Sequence, residues 1–542
     1  MKKWLLLLAI LIAAIALWMR FRSPGVRKVA AATPSPPSYS IVQIHFIGGN
    51  NISGSNTNYV AFEDEFCSTQ AQVLERQTLD KLSRAPGIWF RDKLPTGAGD
   101  GSARLRPLLD DFLKSEWIFE MRDGPASPEY ALAIHLDVNR AQLWQSNLCN
   151  LLESWTKITA QNIPGGWELK KDMPPNLFRF VHAGDWVVIG CGQNELPLSE
   201  EWAHGIFPRG GENWLSANVD WPRLAQRFPA LAKFDLPVIR MQAGENDGNL
   251  RLNGTLDLSL PLPSLEKWQS PSNIIYQPLT SFTAARGFAP WLQRQSWAKL
   301  FELSPEPGQC FSWSLASSPL QTFFAVPVPN ATNALAQLGQ NLRSNTNFWQ
   351  SRLMAPFALN QTTNRIKLDG IPFIAPEVDA LNEGSGNFLF GEFFPNPPHG
   401  KTAPPELFQA FERDDMVFYH WEITSMRLKE LPQLTQLSLL LTQRKQLDAN
   451  SAAGRWLNLI GPRLSPSITE AVQTGPSELS FLRDASAGLT ALELIALANW
   501  LEAPDFPGCD LRLPPQQTVP IVPRHRPVKV LTAPAPQPPA HH

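Results

Sequence analysis

Ser486 is the first residue to weigh for chemistry. It lies in Asp484-Ala485-Ser486-Ala487-Gly488, close to the G-x-S-x-G elbow that holds a hydrolase serine on a tight strand-to-helix bend. A strand-like run precedes it and a helical one follows. The first glycine, which permits the bend, is missing, and no partner histidine is identifiable, so a helix-initiating turn is the stronger reading. Gly190-Cys191-Gly192-Gln193-Asn194-Glu195 also follows a strand and begins like a dinucleotide fingerprint. Glu195 replaces the third glycine, and Pro197 falls where a helix should already be running. Without that helix N-terminus no set of amides could hold a pyrophosphate, and the segment reads as a turn.

The nine histidines are His45, His135, His182, His204, His399, His420, His525, His541 and His542. None forms an H-x-x-x-H or H-E-x-x-H pair that would set two imidazoles on one helical face, so the spacing supports no metal site. His135 and His182 fall inside strand-like runs and read as hydrogen-bonded structural residues. Three acidic doublets, Asp110-Asp111, Glu200-Glu201 and Asp414-Asp415, could in principle supply a glycosidase pair. Carboxylates adjacent in sequence more often mark a solvated loop or helix end. Cys67, Cys149, Cys191, Cys310 and Cys509 are far apart and odd in number, which points to buried thiols, with one or two bridges open in an oxidising compartment. The 19 tryptophans are the one compositional excess. Exposed indoles could stack on sugars or lie at a lipid interface, but Trp144, Trp155, Trp421, Trp456 and Trp500 sit among apolar neighbours and read as core. Sequons at Asn51, Asn253, Asn330 and Asn360 matter only where the source glycosylates. No catalytic, cofactor-binding or metal residue is assigned, and no cofactor is implied.

The elements that would position such residues follow from periodicity. Tyr39 to Phe46 has strand composition, and Ala61 to Leu82 carries apolar residues at helical spacing; a second helix is expected around Leu105–Lys114. From Glu129 a unit begins: a strand (Tyr130–Leu136), a helix (Arg140–Trp155), then two strands (Leu177–His182, Trp186–Gly190) joined by Ala183-Gly184-Asp185. A second occurrence opens at Gln321–Val328 with a helix at Ala331–Leu342, and passes through Arg365–Leu368 and Pro372–Ile374 to Asn387–Phe394. A third opens at Met416–Ile423 with a helix around Arg427–Leu441, and ends with Pro476–Leu482 and a helix at Thr490–Leu501. The uneven spacing excludes a short-period solenoid; remote duplication and the ordinary look of an α+β chain both fit. Asn249 to Leu262 alternates apolar and polar strictly, the best amphipathic strand in the chain, closed by Pro261 and Pro263.

The start of the chain decides where the rest lives. Lys2 and Lys3 precede an apolar run from Trp4 to Met19, closed by Arg20 and Arg22. This reads as a signal anchor over 1–22, with a cleaved signal as the alternative. Arg20, Arg22, Arg27 and Lys28 cut against export by the positive-inside rule. The extreme N-terminal position and the Pro/Ala-rich linker over 23–40 favour it nonetheless. The net charge of −2 argues against a nucleic-acid surface, and the Pro-rich stretch 514–542 has no core-forming pattern and reads as a disordered tail. Between linker and tail the expected α+β domains span 41–265, 266–400 and 401–513.

The runs MVFYHWEITSMRL, RWLNLIGPRLSPSITEAVQTGPSELSFLR and AGLTALELIALANWLEAPDFPG, with LERQTLDKL and FVHAGDWVVIGCG earlier, resemble a family of membrane-anchored or exported bacterial proteins of unknown function. That resemblance implies export and an α+β fold and carries no catalytic signature. The expectation is therefore an α+β body with mixed or antiparallel sheets and helices on one face, built on strand-helix-strand-strand units, behind an N-terminal membrane helix. It would sit at the inner (cytoplasmic) membrane, single-pass, with its body on the periplasmic side, or be cleaved and released there. The expected role is a non-enzymatic envelope protein that binds a lipid, glycan or protein partner; the alternative is an exported hydrolase with a site assembled from distant residues.

Overall fold

The computed structural model describes residues 40–508 apart from 54–67, 90, 92–93, 96–98, 124–127, 172–176, 194, 209–212, 247, 295–300, 317–320, 354–357, 372–374, 384–385, 395–399 and 432–447. The expected anchor, linker and tail, with Cys67, Cys509, His399 and the expected strand over 372–374, lie outside the described residues. Among the described residues no helix is long and apolar enough to cross a membrane.

In chain order the first half comprises β1 (Ser40–Phe46), α1 (Thr69–Trp89), α2 (Ser102–Lys114), β2 (Trp117–Arg122), β3 (Glu129–His135), α3 (Val138–Thr156), β4 (Gln161–Ile163), β5 (Gly166–Lys170), β6 (Leu177–Ala183) and β7 (Trp186–Gly192). It closes with α4 (Pro197–Ala203), β8 (Leu215–Asp220), α5 (Trp221–Arg227), β9 (Val238–Asn246) and β10 (Asn249–Asp257). The second half runs β11 (Leu279–Arg286), β12 (Gln309–Leu315), β13 (Thr322–Pro327), α6 (Ala331–Ser344), β14 (Ala358–Gln361), β15 (Arg365–Asp369), β16 (Glu377–Glu383) and β17 (Gly386–Glu392). It ends with α7 (Pro405–Phe411), β18 (Met416–Glu422), α8 (Ala452–Ile460), β19 (Ser467–Gly475), β20 (Glu478–Ala485) and α9 (Ala491–Glu502).

The fold is α+β, and the 20 strands among the described residues form one antiparallel sheet. The first half is ordered β4-β5-β6-β7-β3-β2-β1-β8-β9-β10. The second is ordered β14-β15-β16-β17-β13-β12-β11-β18-β19-β20, the same order with each number raised by ten. β10 and β20 lie side by side from Leu250↔Ala485 to Asp257↔Glu478 and join the halves. The first two expected repeats open on β3 and β13, which are equivalent strands. The third does not open a unit: the strand at Met416 is β18, the counterpart of β8, and closes the second half against β11.

Strand alternation puts successive side chains on opposite faces, and here both faces are covered in places. Val187 and Val188 are neighbours on β7, both fully buried, yet they belong to separate cores. Val187 faces the large core with Trp117, Ile134, Trp144 of α3 and Trp456 of α8. Val188 faces Leu198 and Trp202 of α4. The expectation of helices on one face is therefore corrected: a sheet this large has two apolar faces to shield at its wings, and a helix lies on each. Glycine makes the close approach of α4 possible, because a Cβ at Gly190 would meet the Ser199 side chain at 2.5 Å.

Local signals fix the ends of the elements. Gly184 turns β6 into β7 at φ 63°. The Asp137 side chain accepts from the Arg140 amide to start α3, and Thr490 and Glu493 form a capping box on α9. α1, inserted between β1 and β2, crosses to the far end of the chain: Gln77 Nε2 donates to Glu502 at 2.8 Å and Lys81 Nζ to the Leu501 carbonyl at 2.6 Å. In the second half, buried Arg286 donates to the carbonyl oxygens of Glu266, Arg413, Asp414 and Met416, which pins the segment before β11 onto the sheet.

Asp111 of α2 holds the helical layer together. It accepts from Arg140 Nη2 at 2.6 Å and from the buried Trp144 Nε1 at 2.8 Å. Asp111→Ala would leave that indole N–H unpaired in the core. It is expected to destabilise the fold by about 2–4 kcal/mol, read as a lower urea midpoint, with Asp111→Asn costing less because one acceptor remains.

Candidate functional site

One open concavity among the described residues lies on one face of the sheet, over β1, β8, β9 and β10. Register sets its side chains in two rows, Gln43, Asn218, Arg240 and Thr255 in one and His45, Ser216, Gln242 and Asn253 in the next. These residues, with Ser480 of β20, Pro208 and the apolar Ile118, Ala217 and Met241, line a cavity of about 520 Å³. Its charged groups are already engaged: His45 Nε2 lies 2.8 Å from Glu116 Oε1, and Arg240 Nη2 lies 2.6 Å from Asp257 Oδ2. The amides of Gln43, Asn218, Gln242 and Asn253 have no hydrogen-bond partner among the described residues. The groove therefore offers neutral donors and acceptors rather than net charge. β9 and β10 approach closely beneath it, since a Cβ at Gly254 would meet the Arg240 carbonyl oxygen at 2.0 Å.

A second polar field lies on the opposite face, in the second half. Leu482, not Arg483, stands opposite Asn253, so Arg483 and its row point away from the groove. One row is Ser314, Ser281, Glu422 and Ser467; the next is Ser312, Thr283, His420, Thr469 and Arg483. Thr283 Oγ1 lies 2.8 Å from His420 Nδ1, and His420 Nε2 lies 3.5 Å from Glu422 Oε2. The other Glu422 oxygen accepts from the Ala491 amide at 2.7 Å, at the start of α9. Burial works to raise the Glu422 carboxyl, but the His420 ring, the Ala491 amide and the Thr424 hydroxyl together hold it below the ordinary carboxylate range. Arg483 donates to Thr469 Oγ1 at 2.9 Å and to Glu493 at 2.7 Å.

Hydroxyl, imidazole and carboxylate stand here in the order of nucleophile, base and orienting group. What acyl transfer also needs is a pair of donors for the oxyanion. β11 and β18 are each paired on both sides, so their amides are spent in the ladders. The arrangement can hold a proton or a ligand in place, and the amides of β11 and β18 supply no oxyanion donors.

The residues singled out in the sequence are spread through structural roles. Ser486 Oγ accepts from the Ser465 amide at 3.1 Å, and Asp484 accepts from Asn246 and Asn249. Gly190 and Gly192 belong to β7 itself, which runs two residues beyond its expected end at Gly190. The helix does begin at Pro197, and its free amides at Leu198 and Ser199 go to the Glu129 carboxylate at 3.1 and 3.0 Å. Burial pushes the Glu129 carboxyl up from its ordinary value. Asp110 pairs with Arg106, Asp111 with Arg140, Glu200 with Arg179 and Glu201 with Arg122. His182 bonds Gln145 at 3.0 Å, and His135 meets Trp186 edge-on. Trp144 and Trp456 are buried, whereas Trp155, Trp421 and Trp500 are half-buried. Both polar fields were missed, although the His420–Glu422 spacing of two in a strand-like run already sets the pair on one face.

No family model, curated protein or solved structure matches the chain.

Cys149, Cys191 and Cys310 are free thiols. Cys310, on β12 beside the hydroxyl rows, is pushed up to about 11 by burial. Native Cys310 is thus expected to react with iodoacetamide at pH 8 roughly two to three orders of magnitude more slowly than in urea. Mass spectrometry of the Cys310 peptide reads this directly, and equal rates would exclude the buried thiol.

Proposed function

We propose that this chain is a non-enzymatic binding protein of the bacterial cell envelope, held at the inner membrane by its N-terminal apolar run with the folded body on the periplasmic side. The groove over β1, β8, β9 and β10 is its ligand site, and the ligand class is an uncharged glycan. The observation that carries this reading is the set of four unpartnered amides on the groove floor, two in each row, beside charged groups already engaged within the protein. A nucleic acid or phosphate would need free cations. Sugar hydroxyls ask for closely spaced neutral donors and acceptors, which neighbouring strands about 4.8 Å apart supply. With no aromatic platform among the lining residues, binding is expected to be weak. A hydrolase at Ser486 has less behind it, because that hydroxyl is engaged by Ser465.

The repeated strand order is read as a remote duplication of a ten-stranded unit. After it, the two copies diverged in which face of the sheet is polar.

Titration of the full chain with a soluble β-1,4-linked N-acetylglucosamine hexamer tests the ligand class. Binding is expected, and Gln242→Ala combined with Asn253→Ala should weaken it about tenfold while leaving the thermal midpoint unchanged. Binding that ignores both substitutions would remove the groove as the site.

A further inference from the structure

We propose that the ligand site continues across the β10–β20 seam and ends on Trp421, which makes its ligand an N-acetylated oligosaccharide long enough to lie over both halves. The proposal rests on the groove being a glycan site. Register carries the groove's face beyond its last polar row. Asn253 stands opposite Leu482, and Leu482 opposite Glu470. Two residues along, Arg251 stands opposite Asp484, Asp484 opposite Ile468 and Ile468 opposite Trp421. Side chains two apart on a strand share a face, so Leu482, Ile468 and Trp421 lie on the groove's side of the sheet. Leu482 and Ile468 are diagonal neighbours on β20 and β19, and Ile468 and Trp421 are direct ones, which makes the three side chains one patch.

Leu482 is 38% and Ile468 40% exposed, although β19 and β20 are each paired on both sides. Trp421 is half-buried and packs on the core that holds Phe282 and Phe411. Its indole N–H has no hydrogen-bond partner among the described residues. The charges that border the patch are engaged, Glu470 by Arg413 at 3.2 Å and Asp484 by Asn249 at 2.7 Å. The surface therefore passes from neutral amides to apolar side chains with no free charge between them. Three partly covered side chains are too few to bury an acyl chain. They match the C–H face of a pyranose and its acetyl methyl, with the indole as stacking surface and its N–H as donor. β18 lies three strand spacings from β10, about 14 Å, so one ligand reaches both Asn253 and Trp421 only if it is several rings long.

The test titrates the full chain by calorimetry with three soluble probes: the β-1,4-linked N-acetylglucosamine disaccharide and hexasaccharide, and the glucose hexasaccharide of the same linkage. The N-acetylated hexasaccharide is expected to bind about tenfold tighter than either of the others. Leu482→Asn combined with Ile468→Asn, and separately Trp421→Leu, should erase that advantage and leave the affinity for the disaccharide unchanged. Both asparagine changes fall at exposed positions, so they decide the matter even where Trp421→Leu does not fold. Hexasaccharide binding that is weakened by Gln242→Ala with Asn253→Ala, but not by the asparagine pair, would overturn the extension and leave the groove as the site. Equal affinity for the two hexasaccharides would overturn the N-acetylated ligand. Sedimentation of the chain as a dimer that the asparagine pair dissociates would give the patch to a second copy and overturn the proposal. Absence of binding by every probe would remove the groove reading and the extension together.

Discussion

The antiparallel pairing of β10 with β20 is the constraint on which the rest of the structure depends. Each half ends on a strand that is satisfied on one side only, by β9 or by β19. A long strand with an open edge invites unwanted pairing, and the two ends cover one another over eight residue pairs. The strands left at the true edges, β4 and β14, are only three and four residues long. The seam is closed a second time at a distance, where α1 near the start of the chain is hydrogen-bonded to α9 near its end. Once the seam is made, the register of every strand between β1 and β18 is set with respect to a common line.

That common register explains why polar groups gather into fields rather than scattering. On β9, Ile239, Met241 and Ala243 turn to one face and Arg240 and Gln242 to the other, so two polar rows continue from β1 to β10. Across the seam the preference inverts. Phe282 and Ala284 of β11 pack under Phe411 of α7 on the groove's face, and Ser281 and Thr283 take the opposite side. One backbone plan thus supports two chemically different surfaces, because a strand's two faces can exchange polarity without altering its hydrogen bonds.

Much of the fold was legible where alternation or helical spacing was clean. The strand from Asn249 was found, although it ends at Asp257, short of the prolines expected to stop it. The units at Glu129 and Gln321 correspond to real counterparts, β3 and β13. β11 was missed for a physical reason: Leu279–Arg286 sets serine and threonine against phenylalanine and alanine, and small residues on both faces blur the hydrophobic signal. β9 was missed although its alternation is plain. The sites were less legible than the fold. His420 and Glu422 share a face by spacing alone, but Thr283 lies 137 residues away and reaches His420 only through the β11–β18 register. Ser486, the residue whose sequence setting drew most attention, proved to be turn chemistry.

β1 lies inside the sheet, hydrogen-bonded to β2 on one side and to β8 on the other. The segment before Ser40 therefore feeds into the interior of the sheet rather than into its rim. Tension applied through that segment along the strand loads both ladders in shear at once, so their bonds share the force. At an edge strand the same pull would open bonds one after another. Mechanical resistance at the point of entry is thus set by strand order, independently of the hydrophobic cores.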